Sequence, residues 1–419
     1  MKGKILVITD LGHASPRIPG LFSELKKLGW EIHIYSPQMS KNQKSILSLK
    51  SIENIRLIES KSKMWYKRDY AEKFSKRIAI KLRRKLLSTN LTKRITRTMI
   101  YSESYKYVEI DHLVWVKNSR KELSEVVSEN MYDFVFSSSS PIAAHIIAKQ
   151  ISDHFKIKWI ADLRDLWSYN HTNIEKASKE QLRFEKKLFL TARQLTTVSK
   201  QLASTQKKIY KGNIEVIYNG FTAINRKKSR KTNNKISIVY TGVLEKGFHD
   251  FEILLDNIDK IDEVTNHNIR FIFAGSCCPI ISGHFKMKNQ IVPKFVELKG
   301  NLSRAAAHKL QNEADALLLF GWKDGKMTGL LQTKFFEYLG VKKPILLLGG
   351  SRDLEAREIL KKTNTGVYLP KINDFITEVK RFSVKRTIFI KPIDKEIDSY
   401  SYKSQARKLE LILAKVSKL

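Results

Sequence analysis

The sequence predicts an α/β protein built from two Rossmann-like domains that face a cleft. Short, continuous apolar runs alternate with segments of helical periodicity along most of the 419 residues. Continuous apolar runs, as opposed to alternating ones, are typical of parallel strands that are buried on both faces. One polar stretch, residues 222–236, interrupts the alternation with six Lys or Arg and no acidic residue. It predicts a linker between two domains of comparable length.

The predicted first domain covers residues 1–221 and opens with a βαβ unit. An apolar run, KILVIT, is followed by a loop that contains Gly12, a helical segment over 21–28, Gly29 and a second strand, WEIHIYS. An amphipathic helix that ends at a glycine between two apolar strands is typical of a parallel sheet. The further predicted strands of this domain span 134–140, 158–163, 195–199 and 215–220.

The predicted second domain covers residues 237–392 and repeats the strand–helix alternation. Residues 393–419 are expected to form a helix that packs back on the first domain. Because ligands of open parallel sheets bind beyond the carboxyl ends of the strands, functional motifs are expected on the loops that follow them. The predicted strands of this domain span 237–242, 270–275, 295–300, 314–320, 343–349 and 365–370.

The chain is strongly basic, with 77 Lys plus Arg against 42 Asp plus Glu and a formal net charge of +35. This charge implies an anionic partner, which could be nucleic acid, a phosphorylated small molecule or an acidic lipid surface. The two cysteines, Cys277 and Cys278, are adjacent and cannot easily meet disulfide geometry, so a reducing cytoplasm is expected. No apolar run approaches the roughly 20 residues of a transmembrane helix, and the run Ile5–Ile8 is too short for a signal peptide.

Residues 61–100 carry fourteen Lys or Arg and two acidic residues, and they form a basic insertion in the first domain. Apolar side chains recur every four residues from Tyr70 to Leu86, which predicts a basic amphipathic helix. Such a helix is typical of a membrane interface. An ordinary surface helix that packs its stripe on the core is an equal alternative, and a nucleic-acid-binding helix is a third.

The segment TGLLQTKFFEYLGVKKPILLLG, residues 328–349, runs from a small-residue loop through a helix into a buried strand. Helix N-termini offer free N–H groups to anions, so the loop at Thr328, Gly329 and Leu330 is a candidate diphosphate site. Glu337 lies one turn into the helix, where a carboxylate can accept two hydrogen bonds from a ribose diol. A helical Glu is more often a solvated surface residue.

In the order of its motifs the chain resembles the retaining GT-B glycosyltransferases of family 4. The motif K-x-x-E-Y-x-x-x-x-x-P is present as Lys334, Glu337, Tyr338 and Pro344. The resemblance covers essentially the whole chain. Its other segments are IVYTGVLEKG (238–247), VIYNGF (216–221), WIADLRDLW (159–167) and SSSSPIAAHIIAK (137–149).

The resemblance implies roles for the donor side of the site. Glu337 is expected to bind the ribose of a nucleotide sugar, with Gly242 and the backbone of Thr328–Leu330 nearby. Lys246 is expected to neutralise the departing diphosphate, with Lys334 as a second cation, because the broken glycosyl–phosphate bond leaves negative charge on oxygen. No metal and no other cofactor is expected. Many family members carry a second Glu eight positions before Glu337, where this chain has Gly329.

The resemblance also implies roles in the first domain. Arg164 and Asp165 are expected to act on the reaction centre or the acceptor, and Asp162, Gly12 and His13 are placed on the acceptor side. For the Asp–Arg motif, an internal ion pair that holds the loop is an equal alternative.

The predicted function is therefore hexosyl transfer, with retention, from a nucleotide sugar to a saccharide acceptor held on a lipid at the cytoplasmic face of a bacterial membrane. Surface polysaccharide or lipopolysaccharide assembly is the expected context, and nucleic acid is not an expected partner. Two rivals remain open: a sugar-nucleotide epimerase of similar architecture, and a non-enzymatic nucleic-acid-binding protein.

Overall fold

A computed structural model describes residues 2–13, 16–39, 54–60, 108, 110–168, 177–222, 235–323, 330–350, 355–385 and 390–418. The chain divides into two compact units, the first formed by Met1–Tyr218 with Ala406–Leu419 and the second by Asn219–Gln405. Each unit holds one parallel sheet with helices, which confirms the predicted α/β class with two Rossmann-like domains. The basic insertion, Thr328, Gly329 and most of the predicted linker lie outside the described residues.

The sheet of the first unit contains seven described strands in the order β3-β2-β1-β4-β5-β6-β7, all parallel. Strand β1 is an inner strand of this sheet, with Ile5 paired to Ile32 on one side and to Phe134 on the other. The strands are β1 (Gly3–Ile8), β2 (Trp30–Pro37), β3 (Arg56–Ser60), β4 (Phe134–Ser139), β5 (Lys158–Leu163), β6 (Gln194–Thr197) and β7 (Ile214–Val216).

Six of the described helices belong to this unit in whole or in part. The core between helices and sheet includes the fully buried indoles of Trp115 and Trp159. The last helix contacts the amino ends of the strands, where Lys2 pairs with Glu410 at 2.7 Å and Lys158 Nζ donates to Val416 O. The helices are α1 (Arg17–Lys27), α2 (Ile110–Asn130), α3 (Ala143–Phe155), α4 (Lys179–Phe189), α5 (Lys200–Lys207) and, after the second unit, α14 (Tyr402–Ser417).

The sheet of the second unit contains six described strands in the order β10-β9-β8-β11-β12-β13, again all parallel. They are β8 (Ile236–Thr241), β9 (Ile269–Ala274), β10 (Val296–Leu298), β11 (Ala316–Phe320), β12 (Ile345–Leu348) and β13 (Gly366–Leu369). The helices are α6 (Phe251–Leu255), α7 (Ile258–Val264), α8 (Cys278–Met287), α9 (Arg304–Glu313), α10 (Thr333–Val341), α11 (Glu355–Thr363), α12 (Ile372–Lys385) and α13 (Asp394–Asp398).

All twelve predicted strands are present, and the structure adds β3, which is not among them. Strand β3 lies at the edge of the first sheet and is only partly buried, so its sequence RLIES lacks the continuous apolar run of an inner strand. In each sheet the strand order reverses once, between β1 and β4 and between β8 and β11. Such reversals open a crevice at the carboxyl edge, which is where ligands of this sheet type bind.

Candidate functional site

The loops that follow β8 and β11 form the candidate site of the second unit. Gly242 directly follows β8 with φ +115°, a conformation that favours glycine, and its N–H donates to Ala274 O at 2.7 Å. A Cβ added at Gly242 would lie 3.1 Å from Lys334 Nζ. The glycine therefore allows the lysine ammonium to lie directly against the backbone of the loop.

Lys334 lies in the first turn of α10, and its ammonium binds only neutral groups among the described residues. It donates to Val243 O at 3.0 Å and to the Tyr240 hydroxyl, and it lies 4.0 Å from the centroid of the Tyr240 ring. Burial lowers the pKa of Lys334 to about 7, and the electrostatic interactions with Cys277, Glu337 and Glu245 offset only part of that effect. A desolvated cation that makes no ion pair with a described carboxylate is suited to receive an anionic ligand.

Glu337 lies three residues after Lys334, so both side chains are on one face of α10. Arg304 Nη2 lies 3.4 Å and His308 Nε2 lies 3.9 Å from Glu337 Oε1, and the Glu337 side chain is 18% exposed. Burial alone would raise the pKa of Glu337, but the neighbouring His308, Arg304 and Lys334 outweigh it and hold that pKa below its ordinary value. Glu337 is therefore an ionised acceptor that remains accessible.

The Tyr of the Lys-x-x-Glu-Tyr motif fixes α10 to the sheet. Tyr338 is fully buried, and its hydroxyl accepts the Thr241 N–H at 2.9 Å. Gln311 Nε2, on α9, donates to Thr241 Oγ1 at 2.8 Å. Helices α9 and α10 are thus both hydrogen-bonded to Thr241, the last residue of β8. These bonds fix the position of Lys334 and Glu337 at the carboxyl edge of the sheet.

Lys246 follows the same strand but has a different environment. Its exposed ammonium lies 3.9 Å from Met287 Sδ, with no ion pair among the described residues. It lines a groove of about 570 Å³ together with residues of α6 and α8, which include Phe251, Ile280 and Met287. Lys334 therefore lies against the Gly242 loop, and the expected role of Lys246 at a departing diphosphate stays a prediction.

The loop that enters α10 is described from Leu330 onwards. Leu330 O accepts the Trp322 Nε1–H at 2.7 Å, and the N-cap residue Gln332 donates its side chain to Phe320 O, so Gln332 does not cap the first N–H groups of α10. His249 lies on Trp322 with ring centroids 4.1 Å apart, and burial lowers its pKa to about 4. His249 was not predicted as a site residue, and its one sequence signal is its position after the glycine loop.

In the first unit, Asp162 is fully buried and forms an ion pair. Arg17, also fully buried, donates to both of its carboxylate oxygens at 3.0 and 2.8 Å, and Ser138 and Thr196 donate to it as well. Burial would raise the pKa of Asp162, but the Arg17 charge and these hydrogen bonds hold it below its ordinary value. Complete burial and the Arg17 contacts favour the ion-pair interpretation of Asp162 over contact with an acceptor, with Arg17 as the partner.

Arg164 and Asp165 follow β5 and are half-buried beside the turn after β4. Arg164 donates to Ser140 O at 3.2 Å and to Ser139 O, and Asp165 Oδ2 accepts the Ser140 hydroxyl at 3.5 Å. Burial lowers the pKa of Arg164, and the charge of Asp165 opposes this. Both residues thus lie at the carboxyl edge, next to the point where the strand order reverses.

Gly12 and His13 end a short 3-10 turn, Leu11–His13, directly after β1. The Gly12 N–H donates to Asp10 Oδ1 at 2.7 Å, and Asp10 Oδ2 lies 3.1 Å from His112 Nε2. Asp10 and His112 are both buried and form an acid–imidazole pair at this edge that was not predicted from sequence. The two residues are 102 positions apart, so no local pattern indicates the pair.

Within the described ranges, no three His, Cys, Asp or Glu side chains converge as a metal-binding cluster, and none of the helices is long and apolar enough to cross a bilayer.

No protein-family model and no curated protein sequence matches the chain. Solved structures do match over nearly the full length of both chains. TarM has a TM-score of 0.60 at 11% identity, with 99% of each chain covered. The lipopolysaccharide outer core galactosyltransferase WaaB has 0.57 at 13% identity, with 99% of this chain and all of that one covered. The UDP-GlcNAc 2-epimerase from Neisseria meningitidis bound to UDP-GlcNAc has 0.55 at 11%, with 98% and 100% covered. At these identities the likeness shows the fold.

Proposed function

We propose that this protein is a metal-independent, retaining glycosyltransferase that moves a hexosyl group from a nucleotide sugar to a hydroxyl of a saccharide acceptor. The observation that carries the proposal is the arrangement of Lys334 and Glu337 on one face of α10, beside the glycine that follows β8. A cation whose described contacts include no carboxylate lies one turn from an ionised acceptor, which matches the diphosphate and the ribose of one ligand.

The diphosphate is proposed to lie against the Gly242 loop, where Lys334 and the uncapped N–H groups of α10 offer positive charge. The ribose diol donates to Glu337, whose pKa below the ordinary value keeps it an acceptor. The backbone of Thr328–Leu330 is proposed to contact the transferred sugar, since Gly329 supplies no carboxylate.

In the proposed reaction the bond between the sugar C1 and the diphosphate oxygen breaks, and its electron pair remains on that oxygen. The acceptor hydroxyl oxygen forms the new bond to C1, and its proton passes to the departing diphosphate. Lys334, protonated when the anion is bound, stabilises the negative charge that develops, with Lys246 as a second, exposed cation. The residues of this chain thereby supply the charge that the reaction requires.

The acceptor side is proposed to involve Arg164, Asp165, Gly12 and His13 at the carboxyl edge of the first sheet. The buried Asp162 is proposed to stabilise this edge through its ion pair with Arg17. We further propose a lipid-linked acceptor at the cytoplasmic face of a bacterial membrane, in surface polysaccharide or lipopolysaccharide assembly. Two lines support this: the basic amphipathic pattern of residues 61–100, and the fold shared with an outer core galactosyltransferase.

The proposal is tested by thermal shift of the purified protein with UDP-, GDP- and dTDP-sugars. One donor class should raise the melting temperature. At a donor concentration of 100 times its Kd, binding should stabilise the folded protein by about 2.7 kcal/mol. Glu337→Ala should then weaken that donor at least tenfold. A Kd that Glu337→Ala leaves unchanged would refute the ribose role, and the absence of any shift across the panel would refute nucleotide-sugar binding.

A sugar-nucleotide epimerase is the second candidate, because UDP-GlcNAc 2-epimerases share this fold at TM-scores similar to that of WaaB. An epimerase converts its nucleotide sugar without an acceptor, so product analysis in the absence of acceptor separates the two activities. The net charge of +35 keeps a nucleic-acid-binding protein as a third, non-enzymatic candidate. Tight, steeply salt-dependent binding of DNA or RNA, with no nucleotide-sugar shift, would favour it.

A further inference from the structure

Two basic side chains of α9 converge on one oxygen of Glu337. Arg304 and His308 are one helical turn apart, so they share a face of α9, and their nitrogens lie 3.4 and 3.9 Å from Glu337 Oε1. Helix α9 is held in place at both ends. Ser303 Oγ caps it by accepting the Ala306 N–H, and Gln311 is bound to Thr241 at the end of β8.

The second carboxylate oxygen, Oε2, has no hydrogen-bond partner in the part of the chain that the structure describes. His308 Nε2 is buried, and at 3.9 Å from Oε1 it makes no hydrogen bond, although its ring stands beside the carboxylate. The Glu337 group is thus held from one side only. One oxygen faces the two basic residues of α9, and the other remains available to a ligand.

We infer that Arg304 and His308 are positioning residues, which hold Glu337 as an oriented carboxylate with Oε2 presented to the hydroxyls of the bound ribose. The inference rests on the proposed function, because it assigns these residues a role through the Glu337–ribose contact. Arg304 and His308 do not themselves contact the ligand.

The electrostatics of the cluster support this role. Burial of Glu337 favours the protonated carboxyl, which could donate but would accept hydrogen bonds poorly. The charged groups around it are Arg304 and His308 on α9 and Lys334 on its own helix, and together they hold the pKa of Glu337 below its ordinary value. Removal of the α9 side chains should therefore allow burial to raise that pKa and should free the carboxylate to rotate.

The experiment measures, by titration calorimetry at pH 5 to 8, the Kd of the best-bound nucleoside diphosphate among UDP, GDP, ADP and dTDP. The variants are Arg304→Gln, His308→Gln and Glu337→Gln, with Arg304→Lys as the conservative variant. The matched control is Lys309→Gln on the same helix, whose side chain is 76% exposed and 3.9 Å from Glu313. Thermal melts confirm folding, and Arg304→Lys with His308→Gln suffices if Arg304→Gln does not fold.

Arg304→Gln and His308→Gln are each expected to weaken binding about three- to tenfold, in the range of coupling between residues in contact. Arg304→Lys should recover part of the loss, and Lys309→Gln should change nothing. In both Gln variants the loss of affinity on acidification should begin at a higher pH, which a merely structural role would not produce. In a Glu337→Gln background, Arg304→Gln should have no further effect.

The outcomes separate the inference from the proposed function. Unchanged binding in Glu337→Gln, or no binding of any nucleoside diphosphate, would overturn the proposed ribose contact and the inference with it. Weakened binding in Glu337→Gln, with Arg304→Gln and His308→Gln both equal to Lys309→Gln, would overturn the inference alone. Additive effects of Arg304→Gln and Glu337→Gln would also overturn it, because they would show action independent of the carboxylate.

Discussion

Substitution of Lys334 by methionine should make the unliganded protein more stable while it impairs binding of the donor. In the folded chain the lysine ammonium is desolvated, and its described partners are a carbonyl, a hydroxyl and an aromatic ring. Methionine has a similar length and no charge to desolvate. The Tyr240 hydroxyl keeps its own hydrogen bond to Val243 O, at 2.6 Å, so the substitution leaves no buried donor without a partner there.

The size of the effect follows from the pKa of Lys334, which burial lowers from 10.5 to about 7. At about 1.36 kcal/mol per pH unit, complete burial would correspond to about 5 kcal/mol against the charged form. Lys334 is only half-buried, and its contact with the Tyr240 ring contributes about 0.5–1 kcal/mol in the opposite direction. After a discount for solvent screening we expect a gain of about 1–2 kcal/mol, or a melting temperature higher by about 2–8 °C.

The pH dependence has a definite sign. Between about pH 7 and 10.5 the unfolded chain binds the Lys334 proton and the folded chain does not, so the wild-type protein gains stability as pH rises through this window. Lys334→Met should lack that slope. Chemical denaturation at several pH values measures it, and calorimetry with the nucleoside diphosphate measures the loss of affinity. Lys246→Met, at an exposed position, is the control for stability. A Lys334→Met variant that is less stable at pH 7 and binds as well as wild type would refute the reasoning.

Three further predictions concern other parts of the chain. Asp162→Asn should destabilise the first unit by about 3–5 kcal/mol in urea unfolding, because it leaves Arg17 buried without its counter-ion. Asp153→Asn, which replaces a carboxylate that is 40% exposed, should change stability by under about 1 kcal/mol. Gly242→Ala should lower stability by about 1–3 kcal/mol and weaken nucleotide binding, because the new Cβ is strained at φ +115° and lies close to the Lys334 ammonium. Gly283→Ala, where the space around the new Cβ is open, should have neither effect. The protein should sediment with anionic vesicles, and charge reversal at Lys81, Arg83, Arg84 and Lys85 should release it; unchanged sedimentation would contradict the membrane role of residues 61–100.

Much of the fold could be predicted because a strand buried on both faces has a distinctive composition. Strands such as β1, β11 and β12 are continuous apolar runs that are buried along most of their length. The edge strand β3 has only Leu57 and Ile58 as apolar residues, since one side of it faces no further described strand. Its pattern is that of a loop, and only its pairing with β2 identifies it as a strand.

The site could be predicted only where its residues share one local segment. Lys334, Glu337 and Tyr338 lie within five positions, so helical spacing alone indicates that the first two share a face. Arg17 and Asp162 are 145 positions apart, and Arg304 and Glu337 are 33 apart. An arginine in a first helical turn has no sequence feature that distinguishes a buried partner from a solvated surface residue. These contacts depend on strand order, which apolar periodicity does not specify.

The net charge of +35 does not indicate which cations belong to the candidate site, whereas the presence or absence of a carboxylate partner beside each described cation does. Several lysines with little exposure, among them Lys4 and Lys149, lie within 3.0 Å of a carboxylate and are internally neutralised. Lys334 is also half-buried, yet its described contacts are neutral groups beside a glycine that leaves room for an anion. Burial without a counter-ion is unfavourable in the free protein and becomes favourable when an anion binds. Proton uptake should therefore accompany binding of a nucleoside diphosphate near pH 8, as the Lys334 ammonium regains its charge, and calorimetry in buffers of different ionisation enthalpy should detect an uptake that Lys334→Met abolishes.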